Sequence, residues 1–370
     1  MLELKSLHIP FKVAFKHASA SRSVTQSVLV IAHADGLAGY GEGCPRDYVT
    51  GETDASVAAF FKRHKEDIEA NVVHLKSLQT WCKDHESEID RNPAAWCAIE
   101  LALLDIFGKQ SKQPIEALLG LPALTESFEY SAVLGAMGGK QFAETLKRYQ
   151  KLGLRHYKIK LTGDIARDRE SIEILTIAGI APVQVRADAN NLWSDYRTAH
   201  DFVKSLNFEF TAIEEPLRPG QFVDLARLAS ALGTRIILDE SITRESQLAQ
   251  LTGPSKQWIV NLRVSKMGGV LRSLSLAQSC RNLGLQIVVG AQVGETSVLT
   301  RAALTVVQAA RDIVIAQEGA YGTLLLEKDI FDPCLMFGFG GKLQAAKYAA
   351  LSSSGLGLTV EPTENSGKRP

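Results

Sequence analysis

The sequence has no excess of charge of either sign. Its 370 residues include 41 lysine and arginine residues and 41 aspartate and glutamate residues, so the formal net charge is zero. A protein that neutralises the phosphates of nucleic acid, or the head groups of an anionic membrane, needs surplus positive charge. We therefore expect neither nucleic acid nor a membrane as a partner.

Long apolar runs are also missing. No stretch approaches the roughly 18 consecutive apolar residues of a membrane-spanning helix, and the opening residues MLELKSLHIP lack the apolar core of a signal peptide. On these grounds we expect a cytoplasmic location.

Cysteine and histidine are sparse and unevenly placed. Five cysteines are scattered without a C-x-x-C pair, so the sequence predicts neither a disulfide framework nor a zinc site. All eight histidines lie at or before His200. The chain beyond His200 therefore cannot supply a histidine base.

The first 120 residues combine strands with helices. The run VLVIAHADG enters a glycine turn, and LAGYGEG follows it like the return strand of a hairpin. Apolar residues then recur at helical spacing from Glu52 to about Ile89 and again in NPAAWCAIELALLDIFGKQ. This order predicts an α+β module.

From Ser127 onward, short β-branched runs alternate with amphipathic helices. Eight strands with seven intervening helical segments predict a closed (β/α) barrel, because open doubly wound sheets seldom reach eight evenly spaced units. No clear eighth helix follows Gln317, and we expect the chain to return to the N-terminal module. The predicted strands are FEYSAV (128–133), HYKIKL (156–161), VQVRAD (183–188), FTAIEE (210–215), RIILD (235–239), WIVNLR (258–263), QIVVG (286–290) and DIVIA (312–316).

Acidic residues end three successive predicted strands. Asp188, Glu214 with Glu215, and Asp239 are spaced by 26 and 25 residues, about one β/α unit each time. Active sites of such barrels lie at the C-terminal ends of the strands, so these carboxylates are expected around one mouth. Like charges so close favour a cation between them, and oxygen ligands suit Mg²⁺. Strand parity does not decide between Glu214 and Glu215.

Lysines flank this acidic series. Lys158 and Lys160 are two residues apart, so their side chains share one face of the second predicted strand. If that face is buried, desolvation and mutual repulsion would lower the pKa of at least one of them, which suits a general base; if it faces outward, both are surface residues. Lys266 follows Asp239 by 27 residues and lies just past the end of the sixth strand. Strands two and six of eight are diametrically opposed, which would place lysines on both sides of the mouth.

In this order, these residues resemble the enolase superfamily and, within it, the mandelate racemase/muconate-lactonizing subgroup that includes dipeptide epimerases and o-succinylbenzoate synthases. The stretches GYGEG, TGET and AIELALLDIFGKQ resemble that family's capping domain. The motifs that carry the resemblance are Lys158-x-Lys160, Asp188-x-Asn190 in RADANNLW, Glu214 in IEEP, Asp239 in ILDES and Lys266 in SKMGG.

The resemblance implies a fold and a metal site. The fold is a modified TIM barrel, (β/α)7β, with an α+β capping domain. We expect the capping domain to comprise residues 1–120, completed by 320–370, and the barrel to comprise 121–319. The resemblance also implies a bound Mg²⁺ held by Asp188, Glu214 and Asp239.

The implied activity is that of a Mg²⁺-dependent isomerase that abstracts the proton α to a substrate carboxylate through a metal-stabilised enediolate. Lys160 and Lys266 would act as acid and base on opposite faces of the substrate, and Lys158 would lower the pKa of Lys160. Two opposed lysines favour a racemase or epimerase of an amino-acid derivative or dipeptide. Mandelate-racemase-like members are expected to use a histidine on the seventh strand, which this chain lacks.

Substrate contacts are predicted more weakly. Dipeptide epimerases are expected to carry an Asp-x-Asp pair after the eighth strand for the substrate ammonium group, whereas this sequence has AQEGAYG, with a single acid. The candidate contacts are Asn190, Glu295, Glu318, His17, Arg22, Arg46 and Tyr48.

Three alternatives stay open at this stage. A muconate-type cycloisomerase or an o-succinylbenzoate-synthase-like lyase needs only one lysine. A Schiff-base aldolase would use a barrel lysine without any metal. A catalytically inactive scaffold is disfavoured, since every expected metal and lysine position is filled. The resemblance also allows a homo-oligomer.

Overall fold

The computed structural model describes the backbone of residues 1–17, 20–124 and 127–360, and the side chains of these residues except 14–17, 20 and 21. Within this part of the chain, no helix is both long and apolar enough to cross a membrane.

The N-terminal module pairs an antiparallel sheet with helices. Its central sheet has the order β1-β4-β5, and β2 pairs with β3. The strands are β1 (Leu2–Leu7), β2 (Pro10–His17), β3 (Ala20–Val24), β4 (Ser27–Ala34) and β5 (Leu37–Gly43). The helices are α1 (Asp54–Asn71), α2 (Leu75–Asp84), α3 (Glu86–Ile89), α4 (Pro93–Gln110) and α5 (Ile115–Leu118).

Glycines on β5 allow helix α4 to lie directly on the sheet. A Cβ atom at Gly41 would come within 2.0 Å of the Ala98 carbonyl oxygen, and one at Gly43 within 2.0 Å of the Ala94 carbonyl oxygen. The GYGEG motif thus provides a surface without side chains against the alanine row of α4. That helix is buried on all sides, which explains why its sequence is apolar around its whole circumference.

The second module is a closed barrel of eight parallel strands, as predicted. Strands β7 to β14 pair in sequence order, and the Ser131 amide donates to the Gln317 carbonyl at 2.8 Å, which closes the sheet. The strands are β7 (Ala132–Leu134), β8 (Tyr157–Lys160), β9 (Val185–Asp188), β10 (Ala212–Glu214), β11 (Arg235–Leu238), β12 (Trp258–Leu262), β13 (Gln286–Val289) and β14 (Val314–Gln317).

The first predicted strand is in fact two strands. Ser127–Glu129 forms β6, which pairs antiparallel with β16 (Lys342–Gln344) outside the barrel. The Tyr130 amide donates to the Gly341 carbonyl at 2.8 Å, whereas the next amide, that of Ser131, donates into the barrel. The backbone changes partner within the apolar run FEYSAV, so the prediction of one continuous strand is wrong.

The helical returns differ from the prediction in one unit. Between β11 and β12, the described chain forms only the short 3₁₀ turns Glu245–Gln250 and Ser255–Gln257. Gly253 and Pro254 interrupt this segment, because proline removes a backbone donor and clashes with a preceding helical turn. The other units contain α6 (Gly139–Lys151), α7 (Ile165–Ile177), α8 (Tyr196–Ser205), α9 (Phe222–Leu232), α10 (Val264–Met267), α11 (Val270–Asn282) and α12 (Ser297–Ala309).

The two modules are joined by buried carboxylates at helix N-termini. Glu100 on α4 accepts the Leu271 amide of α11 at 3.0 Å, and Glu42 on β5 accepts the Thr296 amide before α12 at 3.0 Å. Burial raises the pKa of each carboxyl to about 7. The N-terminal module therefore caps two barrel helices.

The C-terminal segment returns to the N-terminal module. The Leu356 amide donates to the Asp105 carboxylate of α4 at 2.7 Å, and the Ile115 amide donates to the Gly355 carbonyl at 3.1 Å. A last small sheet pairs β15 (Phe331–Asp332) with β17 (Thr359–Val360). The expected domain boundaries stay a prediction.

Candidate active site

Strand register brings the acids and lysines together at the C-terminal mouth of the barrel. Lys160 on β8 lies beside Asp188 on β9, and Asp188 lies beside Glu214 on β10. Because side chains alternate along a strand, these three share the inner face. Lys158 is only 3% exposed and also points inward, so the interpretation of Lys158 and Lys160 as surface residues is wrong.

Glu215 points away from this cluster. Its carboxylate accepts the Asp239 amide at 2.6 Å and the Ser241 amide at 2.7 Å, and it also accepts the Ser241 hydroxyl at 2.9 Å. Glu215 therefore holds the backbone that carries Asp239, whereas Glu214 faces the mouth. The structure thus places Glu214, the residue that the resemblance implies, among the candidate ligands.

The Lys158 ammonium lies among three carboxylates. Its Nζ atom is 2.5 Å from Glu318 Oε2, 3.0 Å from Glu214 Oε2 and 3.5 Å from Asp188 Oδ2. Burial lowers the pKa of Lys158, but the carboxylates outweigh burial and the pKa is raised. The expectation that desolvation and mutual repulsion lower the pKa is therefore wrong for Lys158, because the strand-end acids supply more attraction than the neighbouring cations supply repulsion.

Lys160 is held at the edge of the mouth. Its Nζ atom donates to Asp188 Oδ2 at 2.5 Å and to Asn190 Oδ1 at 2.8 Å. The backbone amide of Asn190 donates in turn to Asp188 Oδ1 at 3.0 Å. Burial opposes ionisation of Asp188, but Lys160 and Lys158 outweigh it and hold the pKa of Asp188 below its ordinary value. Asn190 thus positions both members of the pair.

Lys266 lies after β12, four strands away from β8 in a barrel of eight. Its side chain is fully buried, and its ammonium donates to the Asp239 carbonyl at 2.7 Å, to Asp239 Oδ1 at 3.0 Å and to the Asn261 carbonyl at 2.7 Å. These three acceptors fix the direction of the ammonium group. Lys160 and Lys266 therefore occupy opposite sides of the barrel.

Three further polar residues belong to the cluster and were not predicted. The Arg263 guanidinium contacts Asp239 and lies 3.7 Å from Glu214, and Asn261 donates to Glu214 Oε1 at 2.8 Å. Arg186 Nη1 lies 2.8 Å from Glu318 Oε1. A sequence signal exists for each: Asn261 and Arg263 are two residues apart on an apolar strand, and Arg186 precedes Asp188 by two.

The three candidate ligands suit a magnesium ion in their chemistry. Asp188, Glu214 and Asp239 are buried and offer only hard carboxylate oxygens. Lys158 contacts both Asp188 and Glu214, and Arg263 contacts both Glu214 and Asp239. Each neighbouring pair of carboxylates is therefore already bridged by one cationic side chain. Among the described residues, no group of three or more His, Cys, Asp or Glu side chains is arranged so that it could hold a metal ion.

A cavity of about 690 Å³ opens above the cluster. Lys158, Lys160, Asn190, Arg263 and Glu318 line its floor. A volume of this size accommodates a small-molecule ligand.

The cap-side candidates differ in position. Tyr48 and Glu295 line the cavity, and burial raises the pKa of Glu295 to about 8. Arg22 lies over the Tyr48 ring at 5.7 Å. The Arg46 guanidinium instead donates to the Gln26 and Pro45 carbonyls at 2.7 Å and to the Val293 carbonyl at 2.9 Å, and thus links the cap to the barrel. The side chain of His17 lies outside the described residues.

Comparisons with known proteins identify both modules. Residues 2–120 match the family model of the mandelate racemase / muconate lactonizing enzyme N-terminal domain, and residues 141–364 match that of the enolase C-terminal domain-like family.

Relatives span nearly the whole chain. A hydrophobic dipeptide epimerase of Enterococcus faecalis is 26% identical and covers 85% of this chain and 90% of its own length. An N-succinyl-L-Arg/Lys racemase of Bacillus cereus is 26% identical, with coverage of 89% and 88%. The crystal structure of a dipeptide epimerase of Methylococcus capsulatus, complexed with Mg and the dipeptide L-Arg-D-Lys, is 25% identical, covers 98% of this chain and 99% of its own, and superposes with a TM-score of 0.79.

The resemblance to the enolase superfamily is confirmed by both family models and by the shared fold. The chain belongs to the enolase C-terminal domain-like family and carries the N-terminal domain of the mandelate racemase / muconate lactonizing enzymes.

Proposed function

We propose that the protein is a Mg²⁺-dependent racemase or epimerase that removes and returns the proton α to the carboxylate of an amino-acid derivative. The observation that carries the proposal is the placement of Lys160 and Lys266 at the C-terminal ends of opposite barrel strands, with Asp188, Glu214 and Asp239 at the ends of the strands between them.

The two lysines have complementary tasks. A neutral amine on one side accepts the α-proton, and a protonated amine on the other side returns a proton to the opposite face. The roles reverse for the other stereoisomer. Asn190 holds the Lys160 ammonium at 2.8 Å, and the Asn261 carbonyl holds that of Lys266 at 2.7 Å, so each nitrogen is oriented before substrate enters.

Removal of an α-proton leaves excess negative charge on the substrate carboxylate, which is prohibitive without nearby cations. A bound Mg²⁺ held by Asp188, Glu214 and Asp239 would supply positive charge to that carboxylate. Lys158 adds a fixed positive charge at the floor of the cavity. Its position beside Glu214 and Asp188 suits this electrostatic task better than proton transfer.

The names of the relatives support the reaction class. The Enterococcus and Bacillus cereus proteins are named as an epimerase and a racemase of amino-acid derivatives, and the Methylococcus structure contains Mg.

The test is α-proton exchange in D₂O with Mg²⁺ and a panel of amino-acid derivatives, read by mass spectrometry and chiral chromatography. We expect exchange with inversion, and loss of inversion by roughly 100- to 10,000-fold in Lys160→Ala and Lys266→Ala. Lys204→Ala, at an exposed position on α8, is the matched control. Inversion at the wild-type rate in either active-site variant would contradict the proposal.

The same experiment separates the alternatives. Exchange without inversion would favour a cycloisomerase or a lyase, for which one lysine suffices. Activity that survives EDTA, together with borohydride trapping of an adduct on Lys158 or Lys160, would indicate an aldolase.

A further inference from the structure

Lys266 lies in a stretch of barrel chain that packs closely against the N-terminal module. Gly268 and Gly269 follow helix α10 with φ angles of 82° and 102°, a backbone conformation that glycine adopts readily. A Cβ atom at Gly268 would come within 3.0 Å of Ile89 Cγ2 on α3. A Cβ atom at Gly269 would come within 2.3 Å of Glu100 Oε1 on α4. The two glycines therefore allow the N-terminal module to approach the backbone just after Lys266.

Ser265, the residue before Lys266, contacts the N-terminal module directly. Its side chain is fully buried, and its hydroxyl oxygen accepts the backbone amide of Cys44 at 2.8 Å. Cys44 immediately follows strand β5, so this hydrogen bond joins the central sheet of the N-terminal module to α10. Because a buried amide without an acceptor is costly, the bond fixes α10 relative to that sheet.

A second hydrogen bond holds the chain beyond Lys266. The carboxylate of Glu100, which is fully buried on α4, accepts the Leu271 amide at the start of α11 at 3.0 Å. The N-terminal module thus holds the barrel chain on both sides of Lys266, at Ser265 and at Leu271.

The contacts described for Lys160 belong to the barrel. Strand β8, which ends at Lys160, pairs with β7 and β9. The Lys160 ammonium donates to Asp188, at the end of β9, and to Asn190, two residues further on. The two lysines therefore depend on different parts of the fold for their positions.

The acceptors of the Lys266 ammonium are fixed to the barrel strands. They are the carbonyl and carboxylate oxygens of Asp239, just after β11, and the carbonyl oxygen of Asn261 on β12. A shift of α10 relative to these strands would change where the ammonium nitrogen faces the cavity. Misplacement of a reacting group by about 1 Å can slow a reaction roughly 100-fold.

We infer that Ser265 is a positioning residue through which the N-terminal module sets the place of Lys266 and not that of Lys160. The inference rests on the proposed function, because it takes the two lysines to exchange protons with opposite faces of the substrate. Loosening the contact at Ser265 should then impair proton transfer on one face only. A residue that merely stabilised the fold would affect both faces alike.

Exchange and inversion, measured separately in D₂O, distinguish the two faces. The probes are both α-carbon configurations of the derivative, in the panel described above, that the wild-type protein exchanges fastest. Lys266→Ala identifies the configuration that Lys266 deprotonates, because this configuration then no longer exchanges. In Ser265→Ala we expect the exchange of this configuration, and the inversion of both, to fall about tenfold. Exchange of the other configuration should stay close to the wild-type rate, because Lys160 still removes the proton and returns a deuteron to the same face.

The control is Ser297→Ala on α12. It removes another fully buried hydroxyl that accepts a backbone amide, that of Leu335 at 2.7 Å. Whatever the cost to stability, this variant should leave the ratio of the two exchange rates unchanged, whereas Ser265→Ala should shift the ratio about tenfold towards the configuration that Lys160 deprotonates.

Ile89→Ala tests the same contact from the side of the N-terminal module. It loosens the packing next to Gly268 and should shift the ratio in the same direction, so it replaces Ser265→Ala in the test if that variant does not fold. An unchanged ratio would overturn the inference and leave the proposed function standing. Absence of exchange by the wild-type protein with every member of the panel would overturn the proposed function, and the inference would fall with it.

Discussion

Arg263 and Lys266 contact different oxygens of one carboxylate. The Arg263 guanidinium contacts Oδ2 of Asp239, and the Lys266 ammonium donates to Oδ1 at 3.0 Å. Burial opposes ionisation of Asp239, but Arg263 and Lys266 outweigh it, and the pKa of Asp239 is lowered. The carboxylate is thus anionic and held from two sides before any metal ion binds.

If Mg²⁺ binds at the proposed site, Arg263 would compete with it for Asp239 and Glu214. We expect Arg263→Gln to lower the Kd for Mg²⁺ by about tenfold, which corresponds to about 1.4 kcal/mol, because a competing positive charge is removed. Isothermal titration calorimetry with MgCl₂ measures this without a substrate. Arg197→Gln, at an exposed position on α8, is the matched control. Weaker binding in Arg263→Gln would mean that the guanidinium organises the ligands instead.

Glu215 holds the backbone next to Asp239. Glu215→Ala would leave the buried amides of Asp239 and Ser241 without their acceptor, so we expect the free energy of unfolding to fall by about 2 to 4 kcal/mol. Glu215→Gln keeps one acceptor oxygen and should lose less than half as much. Urea denaturation followed by circular dichroism compares the two variants. Equal losses would show that the backbone contacts do not stabilise this loop.

A side chain added to the glycine surface of β5 would clash with helix α4. Gly41→Ala places a methyl group within 2.0 Å of the Ala98 carbonyl oxygen, so we expect the free energy of unfolding to fall by about 1 to 3 kcal/mol. Gly138→Ala is the control, because its Cβ would meet no atom within 4 Å. Equal stability of the two variants would contradict the close packing of α4 on the sheet.

Glu100 predicts a pH dependence of stability. Burial raises its pKa from 4.5 to about 7, so the folded chain keeps a proton that the unfolded chain has already lost in this range. The free energy of unfolding should therefore fall as the pH rises from about 4.5 to about 7, by roughly 3 kcal/mol from this residue.

Glu100→Gln should remove this contribution, whereas Glu173→Gln at an exposed position of α7 should keep it. Urea denaturation at pH 5 and at pH 8 measures the difference for each variant. A wild-type-like change between the two pH values in Glu100→Gln would contradict the assignment.

The sequence was most informative where the same type of residue recurs once in each β/α unit of the fold. One acid per β/α unit predicted the cluster of Asp188, Glu214 and Asp239, because parallel strands end at one rim. The residue pattern could not distinguish Glu214 from Glu215, since the choice depends on the register between strands β10 and β9, which pairs Glu214 with Asp188. It also could not predict the pKa of Lys158, because the three acids around it come from strands far apart in the chain.

Backbone irregularities were harder to predict. The run FEYSAV is uniformly strand-like, yet its amides change partner between Tyr130 and Ser131, and their respective partners lie about 210 and 190 residues away. Such a change of backbone partner does not alter the local pattern of apolar and polar side chains. Arg186 and Glu318 are similarly remote from each other in sequence, and only closure of the barrel brings them into contact.

The contacts of helix α4 affect how the protein unfolds. One face lies on the glycine surface of the cap, Glu100 reaches barrel helix α11, and Asp105 binds the returning C-terminal segment. Unfolding of either module would expose an apolar helix and leave buried acceptors without donors. The two modules should therefore melt in a single cooperative transition, and neither is expected to persist when the other is deleted.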